Sequence, residues 1–187
     1  DHILGFHKIN AFRDAVHNSV GGKENYFQVE ERIDFDPYTI LGQKTKGGKI
    51  TEKDCLVMQE IWKGPHTTGN DFLWYSFLPG GTFWNKIIPI GSFYYPLIGK
   101  RPKCFSLVEQ YVHLAFEDPK KDLLHLKIRD FEKVFDTCIR KLGWLSCDHA
   151  DLRPFANAGG KLIIDHGLDD PLIPVEGTID YYHHMRE

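Results

Sequence analysis

The sequence predicts an α/β chain, mostly helical and irregular, that closes on a buried strand followed by a helix. Two observations carry this prediction. Helix-spaced apolar residues with cap or stop signals recur along the first 142 residues, and a glycine-bounded apolar run, Lys161 to Gly167, appears near the end.

The elements follow in order. Leu4, Ile9, Phe12, Val16 and Val20 recur at close to helical spacing, and Gly21-Gly22 supplies a stop, which predicts a helix over 4–20. Residues 21 to 49 contain Phe35-Asp36-Pro37 and Gly47-Gly48 and read as loop with short extended pieces. Thr51 is the predicted N-cap of the next helix. Its apolar side is Leu56, Val57, Met58, Ile61 and Trp62, and Gly64-Pro65 ends it. Residues 66 to 105 interleave aromatic residues with proline and glycine and show no alternation, which predicts irregular structure packed against something. Ser106 with Glu109 is a capping-box pattern, opening a helix that ends before Asp118-Pro119. Phe131, Val134, Phe135, Cys138, Ile139 and Leu142 predict a helix over 129–142, with Gly143 just past its end. The apolar run 161–166 reads as a buried strand, and a loop from Leu168 to Pro174 leads into a helix at about Glu176.

Bulk properties exclude several classes. The 187 residues suit one domain or a piece of a larger one, and 42% apolar content can build a core. Net charge is −3 with both signs mixed along the chain, so no basic stripe points to nucleic acid. No apolar run reaches the ~18 residues of a membrane helix. The chain lacks an initial Met and stops inside a helical pattern, so it reads as a fragment. Cys55, Cys104, Cys138 and Cys147 show no zinc spacing; one or two disulfides and four buried thiols both fit.

The strand–loop–helix unit near the end is where chemistry is expected. In open α/β sheets, active sites gather beyond the carboxyl ends of strands. An acid there can accept a hydrogen bond from an imidazole Nδ1–H and stabilise the imidazolium that forms when the histidine takes a serine proton. In α/β-hydrolases the partners run in the order Ser, Asp or Glu, His, so the histidine belongs downstream of such an acid. On spacing alone Asp170 has two readings, this one and an acid that helps to start the final helix through its dipole. Asp169 reads as a solvated loop acid and is the substitute if the register shifts by one. His166 reads as a structural, hydrogen-bonded group. His183 and His184 are adjacent on a helix, about 100° apart, and do not suit one metal ion.

The segment GGKLIIDHGLDDPLIPVEGTIDYYHHM resembles the acid-bearing motif of the tannase and feruloyl esterase family. Asp151-Leu152 and Phe155 fit the approach to it. Weaker echoes lie at Phe35-Asp36-Pro37, at Cys55-Leu56 with Gln59 and Gly64-Pro65, and at Pro79-Gly80 followed by Trp84. The resemblance implies a partial α/β-hydrolase fold: a junction helix over 1–20, an irregular, helix-rich lid over 21–150, and a return to the core over 151–187. It puts the catalytic acid on Asp170. It implies an esterase for feruloyl or galloyl esters, small or on polysaccharide, working without a cofactor and secreted from the cell.

Departures from the pattern matter equally. No Gly-x-Ser-x-Gly elbow is present, Gly91-Ser92 being the nearest sequence, and the family's His-Cys pair is missing. The serine and histidine are therefore expected outside this chain, which alone is expected to be inactive. The family's calcium loop is not recognisable in AVHNSVGGKENYFQVEERIDFDP, so no metal site is predicted. The aromatic residues 72–95 have two readings, ordinary packing and a wall for a phenolic ring. Trp74, Tyr75 and Trp84 are the substrate-binding candidates. The alternative from another class is a non-catalytic ligand-binding or lid-like module, or an inactive relative. The sequence is silent on oligomeric state.

Overall fold

The computed structural model describes residues 4–20, 33–81, 106–123, 125–170 and 172–187. Six α-helices fall within them: α1 (Phe6–Ser19), α2 (Glu52–Lys63), α3 (Ser106–Phe116), α4 (Ile128–Leu142), α5 (Arg153–Asn157) and α6 (Val175–His184). The described strands, β1 (Lys44–Thr45) and β2 (Gly48–Lys49), form one antiparallel hairpin with Thr45 opposite Gly48. The chain divides into two compact units.

The first unit contains α1, the hairpin, α2, the segment from Trp74 and the loop His166–Gly177. Its core is Leu4, Phe12, Val16, Ile50, Cys55, Met58 and Trp62. Phe12 and Phe35 both meet the Trp62 ring edge-on, at 6.2 and 6.0 Å between centroids, the geometry that aromatic quadrupoles favour. The predicted cap of α2 is present and more complete than the sequence suggested. Thr51 Oγ1 accepts from Asp54 N–H at 3.3 Å, while Asp54 Oδ2 accepts from Thr51 N–H at 2.7 Å, closing a capping box. Asp54 is fully buried, and Lys8 Nζ of α1 neutralises it at 2.6 Å. At the far end Gly64 has φ 81°, and a Cβ there would meet Ser76 Cβ at 2.9 Å, so glycine is required.

The second unit pairs α3 with α4 around Val112, Ala115 and Val134. A surface ion pair, Lys141 Nζ to Glu117 Oε1 at 2.8 Å, adds little in open solvent. Gly160 leaves room for the Phe155 ring, whose Cζ lies 2.5 Å from where a Cβ would sit.

One predicted element differs. The run 161–166 is extended but forms no strand, and Ile163 is 91% exposed. A strand is stabilised by hydrogen bonds to a neighbouring backbone, and no described residue supplies one to this run. The expected buried strand is therefore absent among the described residues, and its apolar side chains Leu162, Ile163 and Ile164 are exposed. The thiol expectation also changes: Cys55 is buried, Cys138 half-buried and Cys147 exposed, all three free, while Cys104 lies outside the described residues. Burial, then the Asp54 charge, pushes the Cys55 thiol up, which makes it inert packing.

Candidate functional site

Asp170 lies in the loop between the extended run and α6. The chain reverses there, with Asp170 N–H donating to Gly167 O at 3.2 Å. Its Oδ1 accepts two backbone hydrogen bonds, from Leu172 N–H at 2.8 Å and Ile173 N–H at 3.0 Å. This is an Asx-type turn, in which a short acid stands in for a backbone acceptor. Both donors belong to the loop, whereas α6 begins at Val175. The carboxylate thus organises the turn and does not cap the helix.

The other oxygen, Oδ2, faces His166 Nε2 at 3.5 Å. The Asp170 side chain is 34% exposed and that of His166 is 15% exposed. The Ile173 and Leu172 amides hold the Asp170 carboxyl below the usual carboxylate range; partial burial opposes them, and His166 adds a smaller lowering. The group is therefore an ionised acid at neutral pH, with its one described ion-pair partner a histidine.

Two glycines let the segment from Trp74 approach this loop. A Cβ on Gly81 would lie 3.2 Å from Asp169 Oδ1, and a Cβ on Gly177 would lie 3.0 Å from the Tyr75 ring. Tyr75 is thus partly buried against the first turn of α6. Trp74 is 45% exposed and meets Tyr75 edge-on at 5.3 Å. Trp84 lies outside the described residues. His183 and His184 make no shared site; His184 Nδ1 instead faces Asp180 Oδ2 at 3.8 Å, one helical turn away.

A probable feruloyl esterase from Arthroderma benhamiae is 26% identical over 192 aligned residues, covering 96% of this chain and 32% of that protein. A tannase from Aspergillus oryzae is 24% identical over 155 residues, covering 79% and 26%. This chain is related to feruloyl esterases and tannases. No protein-family model matches it. Its fold agrees with the relationship: the crystal structure of feruloyl esterase B from Aspergillus oryzae matches with a TM-score of 0.67 at 17% identity, over 95% of this chain and 35% of that one. The chain spans about a third of the length of the feruloyl esterase relative it matches.

Asp170 lies in a loop where the sequence places one, between the run 161–166 and the final helix, but its contact with His166 was not foreseen. His166, expected as a structural, hydrogen-bonded group, meets Asp170 through the turn at 167–169. The available signal was the four-residue spacing across Gly167, a residue type suited to a chain reversal.

Proposed function

We propose that this chain is part of a serine carboxylic-ester hydrolase for feruloyl or galloyl esters, with Asp170 as the acid of a Ser-Asp-His triad. The observation that carries the reading is the division of labour in the carboxylate. Oδ1 is consumed by two backbone amides that set its position, while Oδ2 accepts from no backbone amide among the described residues and faces His166 at 3.5 Å, on a side chain 34% exposed. An acid held in this way can orient an imidazole without itself changing protonation.

In this reading the serine and histidine come from other parts of the longer protein. The histidine Nε2 takes the serine proton as the serine oxygen attacks the ester carbonyl. The resulting imidazolium donates Nδ1–H to Asp170 Oδ2. The proton then passes to the departing alcohol, and water repeats the sequence on the acyl-enzyme. No cofactor enters any step. Residues 21–150 serve as the lid, with Trp74, Tyr75 and Trp84 as a wall for the phenolic ring, and 151–187 return to the α/β-hydrolase core. There the exposed run Leu162-Ile163-Ile164 meets backbone supplied by the rest of the protein. The substrate is a small phenolic ester or an esterified polysaccharide met outside the cell, and the isolated chain is inactive.

Asp170→Asn in the full-length protein is the test, with methyl ferulate and methyl gallate as substrates. Asparagine keeps an oxygen for the Leu172 and Ile173 amides, so the loop survives, but it cannot stabilise an imidazolium. The expected loss in kcat is on the order of 10⁴-fold. Turnover that survives this substitution overturns the assignment.

A further inference from the structure

We propose that His166 is a positioning residue for Asp170, occupying one lone-pair direction of Oδ2 and so fixing the direction from which the triad imidazole must approach. The inference rests on the esterase reading of Asp170 and adds to it a residue which that reading leaves unused.

A carboxylate offers about four acceptor directions, two on each oxygen. In this loop Oδ1 takes two donors, from Leu172 and Ile173. That leaves Oδ2, whose place follows from that of Oδ1 because the carboxylate is planar, with two acceptor directions of its own. His166 Nε2, 3.5 Å away, is at the limit of a weak hydrogen bond donated by its ring N–H. The histidine is held at 15% exposure, and its place four residues before the acid is set by the backbone turn through Gly167. Three fixed donors around two oxygens leave one acceptor direction open. An incoming Nδ1–H then has a single approach, the near-attack ordering that makes a catalytic group effective.

This chemistry separates His166 from a triad member. It gives and takes no proton in the reaction and touches no substrate; it acts through Asp170. A residue of this kind affects the rate step and leaves ground-state binding alone. Its effect also vanishes once the carboxylate it orients has gone.

The experiment is a double-mutant cycle in the full-length protein, with steady-state kinetics on methyl ferulate. His166→Phe keeps a flat ring and removes the donor; the expected loss in kcat is roughly 10- to 100-fold, the size associated with small misplacement of a catalytic group, with KM unchanged. His166→Gln returns an N–H donor and is expected to recover kcat to within about threefold of wild type. On the Asp170→Asn background, His166→Phe should cost nothing further. Full kcat in His166→Phe overturns the inference, and so does a loss that simply multiplies that of Asp170→Asn. If His166→Phe does not fold, His166→Met, which also lacks an N–H donor, takes its place: a kcat loss at unchanged KM that is absent on the Asp170→Asn background supports the inference, and full kcat overturns it. Retained turnover in Asp170→Asn alone strikes at the esterase reading instead, so the two failures are told apart.

Discussion

Two aspartates in this molecule make similar local bonds and end in opposite circumstances. Asp54 and Asp170 each accept nearby hydrogen bonds, Asp54 from Thr51 and Asp170 from Leu172 and Ile173. Asp54 is fully buried and its charge is met by Lys8 at 2.6 Å. Asp170 keeps a third of its surface and faces a histidine at 3.5 Å. Only Asp170 retains capacity for a further partner. A buried, neutralised acid has finished its interactions within the fold, whereas a half-exposed acid with one oxygen anchored is rigid and still receptive.

The widest separation of the two should appear in turnover. Asp170→Asn removes the charge and spares the loop, so kcat falls on the order of 10⁴-fold, while the urea midpoint stays close to that of wild type. Asp54→Ala should do the reverse. It strands Lys8 beside a packed core and opens the capping box, at a cost of about 3–5 kcal/mol. Equilibrium unfolding measures this, and a change below about 1 kcal/mol would show that the pair behaves as a surface bridge. Activity at low temperature, where the variant remains folded, should be near normal.

The pH dependence sharpens the contrast at the Asp170 loop. The Leu172 and Ile173 amides depress the Asp170 carboxyl, so the loop's added stability is present above the unfolded carboxylate value and is lost as pH falls through the lower folded value. Asp170 therefore stays ionised across the range where histidine titrates. The acid limb of kcat should report an imidazole, near the ordinary histidine value of about 6.5, and not a carboxylate. A pH–rate profile with its acid limb in the carboxylate range would contradict the geometry of the loop.

How far these features were legible depended on the range of the interaction. The caps of α2, the glycine after it and the starts of α3, α4 and α6 were read closely, because a cap or a stop acts within one turn of helix. The Asp170 loop was legible for the same reason, since Gly167, Asp170 and Pro171 punctuate one short stretch. Lys8 and Asp54 lie 46 residues apart, and nothing near either announces the other. His166 meets Asp170 only after the chain reverses. The run 161–166 shows the limit most clearly: its composition asks for burial, yet a strand is completed by a backbone elsewhere, and no local pattern says where that backbone is.

The smallest expected effect tests the far end of α2, where backbone geometry and not charge sets the structure. Gly64 combines φ 81° with a close approach to Ser76, so Gly64→Ala meets two penalties at once. With ψ 177° Gly64 occupies a region open essentially to glycine alone, which costs another residue about 1–3 kcal/mol, and the 2.9 Å contact requires Ser76 or the helix end to shift. A loss of roughly 1–3 kcal/mol is expected, less than for Asp54→Ala because no charge is stranded. The shift should also reach the neighbouring residues Trp74 and Tyr75, since Trp74 N–H donates to Pro65 O at 3.2 Å directly after this glycine. If Tyr75 belongs to the wall that holds a phenolic ring, Gly64→Ala raises KM for methyl ferulate while kcat holds. An unchanged KM beside a lowered unfolding midpoint would confine the glycine to the fold and remove Tyr75 from the substrate.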